Sequence, residues 1–491
     1  MCVFTKMLSS AIAVTSLALA LSATAETERW IYLPSAQSGG AGSAVISNAV
    51  THTVLKVALS GNNLTINSGV FVTGDDVLDG AKTLDLSTPV ESLDGATQYA
   101  ITAIKMNTIS SLFKSGAENL YLPETLTKIE SQFLDCHTTK SSIRRVRLPS
   151  GMTDLSSASY AFRGCTNLVE VLPAGVLESG RITAYATSIF YNCTALTNCP
   201  NLVNAVKAPE TFMYSCKSAV GNPHIENLET IANGAFNGCK LLTFDNPQML
   251  PKLKEVASGS AFAGTTIINL DLSQSPVTKL YMNGAAELKS VSPMLPTSVQ
   301  SFSFNGCAAL TGDVVVASAD CESIPENAFN GTKITSCDMA ASSVAQFGKN
   351  AFYSCSALTN VVIPRAFNLF KTVTPFSGGA LTHVRFMGDV PAIDVTSAQF
   401  SSCSKMAFYV PYWNESWEGV LSANGEEMAA ADVTTFRENH PGEPVPVQKL
   451  NLDARSGAKP VAHWVVDPPT ETTRGRSRSL RRCAWTAFRR T

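Results

Sequence analysis

Residues 347–364 read FGKNAFYSCSALTNVVIP, and this stretch predicts the fold of the chain. The aromatic Phe352 stands three residues before Cys355 and six before Leu358. Positions three apart lie on one side of a 3₁₀ turn, so this half predicts a tight helical turn. The alternating apolar residues that lead to Pro364 favour a short strand ended by proline. One strand and one turn therefore make up a unit.

The same unit recurs about every two dozen residues. An aromatic or Met anchor, followed three residues later by a small residue, occurs thirteen times at spacings of 20 to 29 residues. Cys fills the small position in eight copies, far more often than 13 cysteines among 491 residues predict by chance. The anchors are Phe113, Phe133, Phe162, Phe190, Met213, Phe236, Phe262, Met282, Phe304, Phe329, Phe352, Phe376 and Phe400.

A unit of this size cannot bury its apolar face alone, so the units must stack. We expect a repeat solenoid of about 13 rungs, built from short β-strands and 3₁₀ or short helical turns, with the anchors stacked inside. A sandwich or barrel is the competing fold, but its turn signals would recur about every 8 to 12 residues. The stretched interval from Phe133 to Phe190 and the degenerate Met282 copy predict irregular rungs.

Two copies carry a family likeness. Residues 161–168 read AFRGCTNL and residues 235–242 read AFNGCKLL, and a Pro-ended strand follows in the clearest copies. This pattern resembles the BspA-type leucine-rich repeat of bacterial and protist surface proteins over about residues 105–415. The segment 408–417, FYVPYWNESW, is similar to the closing unit of that family. The resemblance implies a leucine-rich repeat scaffold for adhesion or protein binding, without catalysis.

The chain divides into five predicted parts. Residues 1–25 contain one early charge, a long uncharged stretch and a small-x-small cleavage signal, which is typical of a secretory signal peptide. An amino-terminal β cap is predicted over 26–104 and the leucine-rich repeat solenoid over 105–415. A carboxy-terminal cap helix is predicted over 416–440, and a linker with a basic tail over 441–491. The Arg-rich end of this tail is expected to be disordered or the product of an altered reading frame; the alternative is an exposed basic arm for an anionic polysaccharide, lipid headgroup or nucleic acid.

Composition excludes several classes of function. With 37 basic and 39 acidic residues the net charge is -2, which argues against nucleic acid as the partner. No second apolar run of about 18 residues follows the leader, so no membrane span is expected in the mature chain. The chain lacks the common zinc-protease, serine-hydrolase and nucleotide-binding motifs. We expect no cofactor and no metal, because histidines and cysteines are not clustered at ligand spacing.

The cysteines admit two interpretations. As small apolar residues beside the anchors they are expected to be buried thiols. Neighbouring pairs such as Cys216 and Cys239 lie one rung apart, at a distance that a disulfide accepts. The thiol or disulfide state therefore stays open in the sequence.

The expected function is an exported, cell-surface or secreted scaffold that binds an extracellular protein or glycan, as a monomer. The contact residues should be the outward side chains of the strands. An enzyme or glycan-processing accessory with its site in the amino-terminal cap is the alternative, and convergent carboxylates of raised pKa would favour it. The predicted contact residues are Arg144, Arg145 and Arg147, which would suit an acidic partner, together with Thr335, Asp338, Thr359, Asn360, His383 and Arg385.

Overall fold

The structure is a computed structural model. It describes residues 30–34, 44–48, 53–71, 82–105, 117–137, 141–257, 259–370, 375–376, 380–389, 407–410, 425–427, 438, 448–451 and 461–466. The predicted leader, 1–25, and the Arg-rich segment 474–491 lie outside these residues. By its internal contacts the chain forms two units, Met1–Leu288 and Lys289–Thr491.

The first unit contains strands β1 to β18. In chain order they are β1 (Trp30–Leu33), β2 (Ala44–Asn48), β3 (Thr53–Ser60), β4 (Asn63–Phe71), β5 (Thr83–Asp85), β6 (Val90–Ser92), β7 (Gln98–Ile104), β8 (Asn119–Tyr121), β9 (Arg145–Arg147), β10 (Asp154–Leu155), β11 (Glu170–Leu172), β12 (Ala184–Tyr185), β13 (Lys207–Ala208), β14 (Thr230–Ile231), β15 (Gln248–Met249), β16 (Glu255–Val256), β17 (Asn269–Asp271) and β18 (Lys279–Tyr281).

The second unit contains strands β19 to β31. They are β19 (Ser290–Ser292), β20 (Ser301–Ser303), β21 (Thr311–Val315), β22 (Ser323–Ile324), β23 (Lys333–Asp338), β24 (Gln346–Phe347), β25 (Asn360–Ile363), β26 (Leu369–Phe370), β27 (His383–Phe386), β28 (Ala407–Val410), β29 (Gly425–Glu427), β30 (Gln448–Asn451) and β31 (Val461–Val466).

The first unit begins with a small closed barrel, in the order β1-β2-β3-β4-β7-β6. Its longest hairpin, β3 and β4, turns at Gly61, whose positive φ of 59° suits a tight turn. Along these strands Leu55 and Leu64 are fully buried, as their alternation with polar residues predicts. The buried Trp30 indole donates a hydrogen bond of 2.6 Å to the carbonyl of Asp85 in β5, which links the barrel to the first repeat strand.

Most repeat turns contribute two parallel strands, which we call front and back; in the described residues the turns of Phe190 and Met213 have a back strand only. Front strands follow the anchor turn: β5, β8, β9 and β11 pair in one sheet, and β15 pairs with β17. Back strands precede the anchor: β10 pairs with β12, and β13, β14, β16 and β18 pair in sequence. In the second unit the front sheet is β21-β23-β25-β27-β28-β31-β30-β29 and the back sheet is β22-β24-β26. Both units are therefore turns of a β-solenoid.

The anchors fill the interior of both units, as predicted. The eleven anchors in the described part of the chain are each at most 1% exposed. Successive rings pack face to face or edge to face: Phe162 and Phe190 have centroids 5.7 Å apart, and Phe352 and Phe376 are 5.1 Å apart. Rings at these distances attract beyond their area burial. Phe113 and Phe400 lie outside the described residues, and the part of the chain that the structure describes forms about 11 turns, where about 13 rungs were expected for the whole solenoid.

The anchor turn is a single hydrogen-bonded turn, and none of the described anchor turns is a 3₁₀ or α-helical segment, although 3₁₀ or short helical turns were expected. The amide of Cys165 donates to the carbonyl of Phe162, but the intervening Gly164 has a φ of 72°. This left-handed residue ends the turn before a second one can form.

Two anchor turns are shifted by one residue, as their irregular sequences predict. The carbonyl of Ala161, which precedes Phe162, accepts the amide of Leu134, so Leu134 rather than Phe133 stands level with Phe162. In regular turns the carbonyl of the residue directly after the anchor accepts a bond from the preceding turn, as Ala263 does from the amide of Gly238. Around Met282 the acceptor is instead the carbonyl of Gly284, two residues after the anchor, which accepts from the amide of Gly264.

The carboxy-terminal segment differs from the expectation. Gly425–Glu427 is strand β29, so the predicted cap helix over 416–440 does not include these residues, whereas Glu438 in the same range is helical. Within 441–491, predicted as linker and tail, Gln448–Asn451 and Val461–Val466 are strands. The latter reads VAHWVV, a β-prone run, and it pairs in parallel with β28. Residues 461–466 thus continue the front sheet. The sequence pattern did not indicate this strand, because prolines flank it on both sides.

Candidate binding surfaces

The position three residues after each anchor is called the slot. The slot cysteines lie inside the solenoid and make hydrogen bonds there. Cys193 Sγ donates to the carbonyl of Phe162, the anchor one turn earlier, at 3.0 Å. Cys216 and Cys239 bond in the same way to the preceding anchor turn, at 3.1 and 3.0 Å. A thiol is a weak donor, but an anchor carbonyl buried in the core has a second lone pair to satisfy. The slot therefore joins successive turns, a role that the apolar interpretation of Cys missed.

Threonine fills the same slot in two turns. Thr265 Oγ1 and Thr332 Oγ1 each donate at 2.8 Å to the carbonyl of the anchor of their own turn. Cys and Thr share a small volume and a donor hydrogen. Their alternation in one slot was the signal in the sequence that a hydrogen bond is made there.

The ten cysteines in the described ranges are all buried and unbridged. Burial raises the pKa of Cys355 and of Cys321 to about 11, and that of Cys239 to about 12. A buried thiol of raised pKa is a poor nucleophile and a poor metal ligand. Among the residues that the structure covers, no cluster of His, Cys, Asp and Glu could hold a metal ion.

The first candidate surface, the arginine surface, is the outward face of β5, β8, β9 and β11. Thr83, Asn119, Arg145 and Glu170 stand in one cross-strand column, and Asp85, Tyr121, Arg147 and Leu172 in the next. The inward residue of each of these strands is buried. The structure thus brings Arg145 and Arg147 together on β9, with Arg144 exposed beside them, as predicted from the strand pattern.

The three arginines differ in their contacts. Arg147 lies over the Tyr121 ring, 4.3 Å from its centroid, donates a hydrogen bond to Ser87 and is 3.7 Å from Asp85. Arg145 pairs with Glu170 at 3.4 Å, with its side chain 51% exposed. A stacked and bonded guanidinium is held in one orientation, whereas an exposed ion pair contributes little to stability. Arg147 is therefore part of the folded framework, and Arg144 and Arg145 are the more available pair.

The carboxylates around these arginines are already stabilised as anions. The Lys82 ammonium, 2.9 Å from Glu118, lowers the pKa of that carboxyl, with smaller contributions from Arg144 and Arg145. The hydroxyl and amide of Ser150 lower the pKa of Glu124. The arginine surface is consequently a mixed-charge surface, and an acidic partner would compete with its own carboxylates.

The second candidate surface, the polar surface, is the outward face of β23, β25 and β27 in the second unit. Ser336, Asn360 and His383 form one column, and Asp338, Val362 and Arg385 the next. The residues between them, Cys337, Val361 and Val384, are at most 1% exposed. The structure thus collects the remaining predicted residues on this face, with Thr335 and Thr359 at its margin.

Hydrogen bonds along the polar surface run between turns. Thr359 Oγ1 donates to the carbonyl of Thr335 at 3.2 Å, and Thr382 Oγ1 donates to that of Thr359, also at 3.2 Å. Asp313 accepts from the hydroxyls of Ser336 and Thr335 at 2.6 and 2.7 Å, and these bonds lower its pKa. The hydroxyl groups of this surface therefore link each turn to the neighbouring one by hydrogen bonds.

Aromatic contacts border the polar surface on its carboxy-terminal side. The His383 ring stacks on Tyr409 with centroids 5.6 Å apart, and the Arg385 guanidinium lies 4.9 Å from the same ring. Sequence reasoning found His383 and Arg385 but missed Tyr409, as it missed Tyr121 under Arg147. Each Tyr is the cross-strand partner of its arginine on the neighbouring strand: Tyr121 of Arg147, and Tyr409 of Arg385. The equivalent position of Tyr and Arg in successive repeats was the sequence signal that was missed.

The enzyme alternative requires convergent carboxylates of raised pKa in the amino-terminal cap, and the described residues of the cap show none. The adjacent carboxylates of Asp75 and Asp76 in the cap lie outside the described residues. The Ser92 hydroxyl, 2.6 Å away, lowers the pKa of Asp94, which is opposite to the shift that a general acid needs. The part of the chain that the structure describes also holds no helix long and apolar enough to cross a membrane.

These features define a class: a leucine-rich repeat solenoid with outward polar faces. The model of the BspA type leucine rich repeat region matches this chain in 6 copies, over residues 98–199, 138–269, 211–291 and 278–407. These segments overlap to cover well over half of the sequence. The chain belongs to the BspA-type leucine-rich repeat family.

Solved structures of similar proteins were also found. A leucine-rich repeat protein from Bacteroides ovatus has 15% identity and a TM-score of 0.47, over 74% of this chain and 95% of its own. A leucine-rich cell surface protein from Faecalibacterium prausnitzii has 14% identity and a TM-score of 0.31, over 73% and 87%. The pneumococcal vaccine antigen PcpA has 13% identity and a TM-score of 0.32, over 77% and 96%. Among curated proteins no sequence matches this chain.

Proposed function

We propose that this chain is an exported, surface-associated scaffold that binds an extracellular protein or glycan through its front sheets, as a monomer and without catalysis. Membership of the BspA-type family supports a binding scaffold. The leader-like residues 1–25 support export. Extended outward faces of this kind are the surfaces that repeat proteins use for recognition.

The main support for the proposal is that the front strands hold the fold with their inward side chains and leave their outward side chains available to a ligand. On β23, β25 and β27 the inward side chains are fully buried, while Asp338 and Asn360 are exposed. Substitution of an exposed outward residue leaves the core packing intact. The face can therefore vary with its ligand while the anchors hold the fold.

The experiment is a binding screen of the full chain against a glycan array and against immobilised collagen and fibrinogen. The variants are Arg144→Ala/Arg145→Ala on the arginine surface and Asp338→Ala/Asn360→Ala on the polar surface. We expect at least one probe to bind, and one of the two variants to weaken that binding about tenfold or more, which is about 1.4 kcal/mol.

A matched control lies on the back sheet. Lys207→Ala/Lys279→Ala removes the same charge as the arginine pair, and Lys279 pairs with Glu255 while 51% exposed, as Arg145 does with Glu170. This control should bind like the unmodified chain. Equal loss in the control and in both front-sheet variants, or binding that neither variant changes, would contradict the assignment to the front sheets. Arg147 is left unchanged in all variants because it supports the fold.

A further inference from the structure

The sulfur atoms of two slot cysteines in the first unit are in contact. Cys136 Sγ and Cys165 Sγ are 3.3 Å apart. Cys165 and the next cysteines along the solenoid, Cys193, Cys216 and Cys239, direct their thiols to carbonyls of the preceding turn, whereas Cys136 directs its thiol to a carbonyl of its own turn. The Cys136 slot therefore differs from those that follow.

The shifted register of the first anchor turn accounts for the contact. Leu134 takes the place level with Phe162, so Cys136 stands only two residues after it. Cys136 Sγ donates to the carbonyl of Leu134 at 3.0 Å, and Cys165 Sγ approaches the same carbonyl at 3.2 Å from the next turn. Two thiols that converge on one oxygen are brought side by side.

We propose that Cys136 and Cys165 form a disulfide that fastens these two neighbouring turns when the chain folds in the presence of a disulfide oxidant. The two sulfurs need to approach by about 1.3 Å to reach the bond length of about 2.0 Å. Neighbouring strands lie about 4.8 Å apart, which is within the Cα separation that a disulfide accepts.

Oxidised glutathione is the oxidant, and the exchange takes two steps. The Cys136 thiolate attacks one glutathione sulfur, breaks the glutathione disulfide and forms a mixed disulfide. The Cys165 thiolate then attacks Cys136 Sγ and expels the second glutathione. The cysteine pair loses two electrons, glutathione gains them, and the two cysteine protons end on the two released thiols. The exchange takes place while the chain folds, because Cys136 and Cys165 are both buried in the folded state.

A second place in the fold repeats this geometry with one sulfur. Thr332 Oγ1 and Cys355 Sγ both donate to the carbonyl of Phe329, at 2.8 and 3.0 Å, and they lie 3.6 Å apart. The substitution Thr332→Cys places a thiol three residues after Phe329, the position from which Cys216 and Cys239 bond to the preceding turn. It supplies a matched control in the second unit, because this position lacks the shifted register of Cys136.

The experiment refolds the full chain from the reduced, denatured state in a mixture of reduced and oxidised glutathione. Folding is verified by circular dichroism, remaining thiols are alkylated, and peptides from a digest without reductant are identified by mass spectrometry. We expect a linked peptide pair containing Cys136 and Cys165, and unlinked Cys216 and Cys239. In the Thr332→Cys variant we expect no link to Cys355, because both thiols lie in slots of regular register, like Cys216 and Cys239.

The unmodified chain decides the proposal even if a variant fails to fold. Complete alkylation of Cys136 and Cys165 in the folded product would overturn it, as would a link between Cys216 and Cys239 of equal yield. A Cys165→Ser variant, which must lose the link, identifies the cross-linked peptides.

Discussion

At the scale of single residues, the position three after each anchor decides how neighbouring turns are joined. In the turns where Cys or Thr fills this position, its side chain is small enough to lie beside the aromatic stack and carries a hydrogen for a buried carbonyl, whereas Ala285 fills it without a donor. Cys uses the carbonyl of the previous turn, as Cys239 does with Met213, and Thr uses that of its own turn, as Thr265 does with Phe262. The recurrence of Cys thus has a physical cause in the core.

Substitutions at this slot should therefore distinguish how much the volume of the side chain and its hydrogen bond each contribute to stability. We expect Cys239→Ala to lower the free energy of unfolding by about 1 to 2 kcal/mol, because the bond to Met213 is lost and a small cavity remains. Cys239→Thr should lose less, since Thr occupies the slot at positions 265 and 332. Urea denaturation of both variants measures the difference, and an equal or larger loss for Thr would count against the hydrogen-bond role.

The buried thiols also predict a dependence of stability on pH. Burial raises the pKa of Cys355 to about 11 from the usual 9.0, so the folded state favours the protonated thiol. The stabilisation is complete below pH 9 and is lost as the pH rises from 9 to about 11. Between pH 8 and 10, the unfolding free energy of the unmodified chain should fall by about 1 kcal/mol more than that of Cys355→Thr. Parallel curves for the two proteins would show that this thiol does not contribute.

At the scale of elements, the anchor turn depends on a left-handed residue two after the anchor. Gly164 and Gly264 occupy this position with φ of 72° and 66°, and Asn192 and Ser215 adopt it with 59° and 61°. The position recurs because the chain must leave the turn towards the front strand after one hydrogen bond. Its surroundings nevertheless differ from turn to turn.

Two glycines in this position form a matched pair. A Cβ at Gly164 would lie 2.8 Å from His137 Cα, whereas the nearest atom to one at Gly264 would be 3.8 Å away. We expect Gly264→Ala to cost about 1 kcal/mol for its backbone conformation, and Gly164→Ala about 1 to 3 kcal/mol more for the close contact. Thermal unfolding measures both, and equal losses would contradict the close approach of the turns at Gly164.

The elements also show how far the sequence could predict the fold. The front strands were predictable because residues such as Val361 and Ile363 alternate with outward ones. The back strands were not, because a strand as short as Thr230–Ile231 has one inward residue and no alternation to detect. The contact of Arg147 with Ser87 joins residues 60 apart, and it depends on a register that spacing alone does not fix.

At the scale of the whole molecule, each unit repeats one arrangement: anchors and slot residues inside, polar columns outside. A turn is stabilised mainly by its neighbours, so local defects such as the shifted Leu134 turn are tolerated. The sequence predicted the solenoid, and all nine predicted contact residues lie outside its core. It could not rank them, because the ion pairs and stacked rings that occupy Arg147 and Arg385 arise only when strands distant in sequence become neighbours.

The most direct measurement is the rate at which each cysteine of the native, reduced chain is alkylated, resolved by mass spectrometry. Cys193, Cys216 and Cys239 are fully buried, so we expect them to react at least about a thousandfold more slowly than a model thiol and to become reactive only on denaturation. Labelling of these three in the native chain at rates near that of the model thiol would contradict the stacked interior on which the account depends.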